Sequence, residues 1–352
     1  MLRKKWEKME EDKKLPIHYP PTVKCYLPIA ILSSVIESDV SNNFWIINNF
    51  IQLFYDKVEN KLEFFPFQDF LYHDQENLRV TVITDQIIEL NENNLIEWIM
   101  NEINNGNYLV LYCNESCIHS ARRFGKASRI HSQFLYGYNS QKKIFYSMNF
   151  LKETNDIGLL SISFDEIIHS FFDKNMSQLL KRERNKNYGV ESKWKLFVLS
   201  KIRYKSTIYQ NGLNREYIYQ MMKQYLYGIN SSNYMHYFTG KIDGVWGVKI
   251  CDAIKEMINV YPRYLDKRIF CLIYEHKVIM FNRLEILSDY NIVERYRHIV
   301  AKARVLKNLC FKYNITNDKK IAIRMGELID FIKNEECMVL SEFFLKEEKK
   351  KI

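Results

Sequence analysis

The sequence predicts an α+β protein, and three observations carry that prediction. Strand-like runs rich in Val, Ile and Thr are concentrated in the first 180 residues. Most segments beyond that point have helical length and period. Gly (11) and Pro (6) are too scarce for a turn-rich all-β fold or a disordered chain. A chain of 352 residues that is 47% hydrophobic and 26% charged is long enough to bury two real cores. The expected division is a first domain over 1–180, opened by a charged, proline-marked lead-in at 1–21, and a mostly helical domain over 181–352.

The elements follow in order. "CYLPIAILSSVIES" reads as a helix from about Cys25 to Ser38, because Pro28 is tolerated only where no backbone donor is needed, in the first turn. "NNFWIINNFIQLFYD" reads as a second, aromatic helix, broken by Pro66 in "FFPFQDF". "NLRVTVITDQIIEL" reads as strand, "NENNLIEWIMNEINNG" as a helix stopped by Gly106, and "NYLVLYCNE" as a short buried strand. A basic loop, "SCIHSARRFGKASR", leads into the clearest local signal, "RIHSQFLYGYNSQKKIFYSMNF". That stretch is two strands joined by a polar turn, an antiparallel hairpin. "IGLLSISF" is a further strand, and Ser163 with Glu166 forms a capping-box pattern at the next helix start. The polar stretch "MSQLLKRERNKNYGVESKW" could hold the domain boundary. Beyond it, helices are expected over 214–227, 248–259, 266–287, 291–313 and 318–335, with a glycine-marked loop or small hairpin in "HYFTGKIDGVWGV".

The totals narrow the function classes. A net charge of +9 fits an acidic macromolecular partner. The main basic run, "KEEKKKI", is mixed with Glu, so nucleic-acid binding rests on net charge alone and is not expected. Seven scattered cysteines lack a disulfide-framework spacing, which favours reduced thiols in a cytoplasmic protein. The charged N-terminus lacks the apolar core of a signal peptide, and no run reaches the length of a membrane span.

Cys25 is the residue with the most chemistry in its position. At the start of a helix a thiol sits by unpaired N–H groups and the positive end of the dipole, where a thiolate forms most easily. The bland alternative is a small core cysteine, sharing a face with Ile29, Leu32 and Ile36. An early Cys on a helix, followed about a hundred residues later by a His opening a strand of an antiparallel sheet, is the papain-type order. His131 fits the second role, a base that holds the thiol's proton, against the reading of an ordinary strand histidine.

"KCYLPIAILSSV", "IHSQFLYGYNSQKKIFYSMNF" and "LIYEHKVIM" resemble the butirosin-biosynthesis BtrH-like family, over nearly the whole chain. The resemblance implies a papain-like N-terminal domain related to the double-glycine-leader cysteine peptidases. It implies an acyltransferase that needs no cofactor or metal. An acyl group passes from a carrier-protein thioester to Cys25 as nucleophile, with His131 as base, and then to an amine as an amide. The family's acidic third member falls where this chain reads "SMNF": a gapless match gives Met148, and a shift of one gives Asn149. Counting around "NSQK" pairs His131 with Phe150 and puts Met148 on the histidine's face, unless a bulge or a five-residue loop reverses the parity. Asn149 is the expected orienting residue. No glutamine precedes Cys25 to serve as an oxyanion donor, which leaves that work to backbone N–H groups. Arg122, Arg123, Lys126 and Arg129, in the loop before His131, are the expected docking patch for an acidic acyl or peptidyl carrier protein; a solvated loop is the bland reading. The alternatives are a cysteine peptidase or amidase, with water as acceptor, and an inactive binding protein on the same fold.

Two further groups are weighed and set aside. Cys113, Cys117 and His119 share a parity but lack a fourth zinc ligand. Glu275 and His276 are adjacent on a helix, face different sides and fit an interior hydrogen bond better than an acid/base pair.

Overall fold

The computed structural model describes residues 11–39, 44–65, 78–154, 156–184, 195–201, 212–234 and 242–349. The chain forms two compact units, one drawn from 1–42 and 72–210, the other from 43–71 and 211–352. The division therefore does not fall at residue 180, and two segments show why. The strand "KLFVLSK", beyond the expected boundary, lies between two strands of the first unit's sheet. The apolar segment at 45–65 pairs with the second unit instead. Pro66 and the tract 185–194 lie outside the described residues, as does much of the glycine-marked loop.

The first unit is built on a seven-stranded antiparallel sheet: β1 (Asp12–Lys14), β4 (Leu78–Thr84), β5 (Asn107–Asn114), β6 (Ile130–Asn139), β7 (Ile144–Phe150), β8 (Ile157–Ser163) and β9 (Lys195–Lys201). Its order is β4-β9-β5-β6-β7-β8, with β1 pairing to β6. The β5–β6 pairing ends at Leu109–Leu135, and β1 pairs with β6 over Gly137–Asn139. The lead-in is thus part of the sheet. Its close approach needs Gly137: a Cβ there would sit 2.3 Å from the Lys13 carbonyl and 2.9 Å from the Lys14 Cα. Gly137→Ala is expected to loosen β1 and cost about 1–3 kcal/mol. Chemical denaturation would read this, and unchanged amide exchange at 12–14 would refute it.

Helix α1 (Leu27–Glu37) crosses one face of this sheet, where Ser34 Oγ lies 3.4 Å from Met148 Sδ. Apart from half-buried Pro28, it is buried all round from Leu27 to Ile36, as a central helix must be. Helices α3 (Leu95–Asn104), α4 (Phe164–Phe171) and α5 (Met176–Arg184) complete the unit. Gly106, at φ 86°, stops α3, and the Ser163–Glu166 capping box opens α4 as expected.

The second unit is not purely helical. "WIINNFIQLFYD" forms one short helix, α2 (Trp45–Asn48), and then turns into β2 (Gln52–Asp56), which pairs with β3 (Lys61–Phe65) and β10 (Val245–Trp246). Buried Arg283 fixes this entry by donating to the carbonyls of Ile47 and Asn49 at 2.8 and 2.6 Å. The rest is helical: α6 (Arg215–Tyr227), α7 (Ile250–Asn259), α8 (Lys267–Leu287), α9 (Tyr290–Thr316) and α10 (Lys319–Lys349). The last runs well past residue 335, because Glu336, Val339, Leu340, Phe343 and Phe344 continue its buried stripe. Among the described residues no helix is long and apolar enough to cross a membrane.

Candidate functional site

Helix α1 begins two residues later than expected. Tyr26 is the N-cap, with extended backbone, and Pro28 lies in the first turn. Cys25 therefore stands just ahead of the helix, 8% exposed, and the first turn carries no acidic residue to offset its positive end.

His131 enters β6 one residue after its start, opposite Cys113 of β5. Its ring lies 6.0 Å from that of Phe150. Burial, and then the nearby guanidinium charges of Arg122 and Arg129, hold its pKa down at about 4. At neutral pH the ring is uncharged and a weak base. Its Nδ1 is buried without a hydrogen-bond partner.

The hairpin register differs from the simple count. A bulge between Leu135 and Gly137 shifts the ladder, so that Phe134 faces Met148. Met148 therefore lies on the α1 face of the sheet, and strand alternation puts His131, Gln133 and Asn149 together on the other. Asn149 does not bond to the His131 ring. Its Nδ2 donates to Gln133 Oε1 at 2.7 Å and to the Ser132 carbonyl at 3.1 Å, and its Oδ1 accepts from the Phe150 N–H at 2.7 Å. Gln133, fully buried beside His131, carries no sequence motif and was not a candidate.

The basic loop splits in two. Arg122 and Arg123 are half-buried, and the Arg122 guanidinium lies 5.3 Å above the Phe150 ring. Lys126 and Arg129 are exposed. Fully buried Glu115 faces the same guanidiniums. Burial raises its pKa, against the pull of Arg122, Arg129 and Arg123.

The expected zinc parity is lost, because β5 ends at Asn114 and a 3-10 turn follows over Glu115–Cys117. Cys113 is fully buried, its thiol pushed up to about 12 by burial; Cys117 lies 3.9 Å from Asp173, and the His119 ring stacks on Phe124 at 4.6 Å. Among the described residues no three His, Cys, Asp or Glu are placed to hold a metal ion. His276 is fully buried in α8 and donates from Nε2 to the Ile51 carbonyl at 2.8 Å, an interior hydrogen bond. In comparisons with known proteins, the chain matches no family model and no curated protein.

Proposed function

We propose that this protein is a cysteine-dependent acyl-transfer protein on a papain-like fold, which takes an acyl group from a carrier-protein thioester onto Cys25 and passes it to an amine as an amide. One observation carries the reading: Cys25 stands directly ahead of a buried helix with Pro28 in its first turn and no acid there. The N–H groups of the helix start and the helix dipole at that end favour both a thiolate and the oxyanion that its attack creates. In loading, the Cys25 sulfur bonds to the thioester carbonyl carbon and the bond to the carrier sulfur breaks, releasing the carrier thiol. In transfer, the amine nitrogen bonds to that carbon, the bond to Cys25 breaks, and the amine's proton passes to solvent. Reduced thiols suit a cytoplasmic setting. The test is intact mass after incubation with an acyl N-acetylcysteamine thioester. A single acyl increment supports the reading, and its absence over a range of acyl groups removes it.

A second reading, an inactive binding protein on the same fold, is favoured by the depressed basicity of His131 and by Asn149 bonding elsewhere. The same experiment separates the two.

The exposed half of the basic loop suggests the carrier's docking place. Lys126→Glu is expected to slow loading from an acidic carrier roughly threefold to tenfold at low salt, because charge pairs across such a surface act mainly on the encounter rate. The effect should fade at high salt and be absent with the small thioester. Equal slowing with both donors would remove the docking role.

A further inference from the structure

One end of the second unit gathers exposed apolar side chains inside a ring of cations. α8 and α10 begin there and α7 and α9 finish there, so two turns lie side by side: 260–266 between α7 and α8, and 317–318 between α9 and α10. The turns are clamped together. Tyr313 Oη donates to the Pro262 carbonyl at 2.7 Å, and the Asn314 amide bonds the Leu265 backbone twice, both at 2.8 Å. Around the clamp Ile315 is 82% exposed and Val260 75%, and Tyr261, Tyr264 and Phe311 are exposed beside them. Single exposed apolar residues are ordinary, but five around one pair of turns make a patch. Lys267 Nζ lies 5.7 Å over the Phe311 ring, and Lys319 Nζ 5.3 Å over that of Tyr261. Arg263, Lys312 and Lys320 are exposed at the same turns. Among the described residues, Arg263, Lys312, Lys319 and Lys320 form no ion pair. The two carboxylates here are engaged: Asp266 caps α8 and holds Arg268, and Asp318 accepts from the Lys320 N–H.

We infer that this end of the second unit is an interfacial surface for an anionic lipid bilayer, which it touches without crossing. Val260 and Ile315 enter the boundary between headgroups and acyl chains, Tyr261 and Tyr264 lie at headgroup level, and Arg263 and the lysines meet lipid phosphates. Two features favour a bilayer over other acidic partners. The two most exposed apolar side chains of the patch are aliphatic. They gain little beside the hydrated phosphates of a nucleic acid or the carboxylates of an acidic protein, whereas the acyl boundary takes them out of water. Tyr261 and Phe311 each carry a lysine over one ring face, which makes them poor platforms for stacking bases. Membrane contact at this end does not depend on acyl transfer at Cys25, which belongs to the other unit.

The test is cosedimentation of the whole protein with vesicles of phosphatidylcholine, alone or mixed with phosphatidylglycerol. Pelleting is expected with the anionic vesicles only. Salt at about 1 M should abolish it, since charges there act over only about 3 Å. Lys312→Glu with Lys319→Glu should weaken binding roughly thirtyfold or more, from about fivefold for each basic residue lost at a charged membrane. Val260→Ser with Ile315→Ser keeps every charge and should weaken binding roughly tenfold. All four side chains are exposed, so the melting temperature should not move. Lys142→Glu with Lys174→Glu makes the same change in net charge on exposed sites of the first unit and should leave binding unchanged. Equal loss in that pair would reduce the effect to the net charge of the chain and overturn the inference. No pelleting would overturn it too, and leave the patch to an acidic protein or a nucleic acid. Pelleting indifferent to the serine pair would also overturn it, because charge alone would then hold the vesicle. No acyl donor is present, so a failure here is distinct from a failure to load Cys25.

Discussion

Cys25→Ala is expected to abolish the acyl adduct, while Cys113→Ala and Cys117→Ala leave it nearly intact. The contrast rests on what surrounds each sulfur. Cys113 is fully buried in β5, and burial pushes its thiol up to about 12. At pH 8 that leaves roughly one thiolate in ten thousand, too few to compete for a thioester. Cys117 is more open, but burial and the Asp173 carboxylate raise it too. Cys251 and Cys310 are pushed up to about 12, again by burial, and Cys337 is raised. Cys25 is the only cysteine that stands directly ahead of α1, whose backbone N–H groups can stabilise negative charge on sulfur and on the carbonyl oxygen. Its low exposure means that loading should also depend on acyl size, faster with short chains than with branched ones. An undiminished adduct in Cys25→Ala would place the chemistry on another thiol and end the proposal.

What the sequence made legible, and what it hid, follows the range of the interactions. The capping box at Ser163 and Glu166 is a contact across three residues, and it formed as read. Pro28 placed the start of α1 to within two residues, because the ring constraint is local. The hairpin was legible as a hairpin, but its register was not. The bulge at Tyr136 lies beside the place where β1 joins β6, about 125 residues away in sequence, and it decides whether Met148 or Asn149 shares a face with His131. Strand β9 was hidden for the same reason: its partners are β4 and β5, and its own seven residues carry only a short alternation next to a polar tract. The aromatic run at 44–56 was expected as one helix; only Trp45–Asn48 is helical, and the pairing of β2 with β3 and with β10, about 190 residues later, makes the rest strand. The orientation of Asn149 was out of reach altogether, since it depends on backbone groups that only the folded sheet brings together.

The second large effect expected lies far from Cys25 in sequence, at the ion pair of Lys277 and Glu336. In the second unit Lys277 Nζ donates to Glu336 Oε2 at 2.6 Å, to the Tyr225 hydroxyl at 2.7 Å and toward His276 Nδ1 at 3.3 Å, which uses all three of its hydrogens. Glu336 also accepts from Tyr225 at 2.8 Å and from Tyr296. The Lys277 and Glu336 side chains are 1% and 0% exposed, so neither charge has water to fall back on. Removing one member leaves the other buried and unpaired, at a cost of about 3–5 kcal/mol. Glu336→Leu and Lys277→Met should each lower the melting temperature of this unit by roughly 10 °C or more. The double variant should cost clearly less than the sum, since it strands no charge and loses only the tyrosine hydroxyls' acceptor and the donor to His276 Nδ1. Circular dichroism at 222 nm reports the outcome, because α8, α9 and α10 make up most of the unit's helix. Two small single effects that simply add would show that the pair is solvated in solution, and that the packing of α8 against α10 does not depend on it.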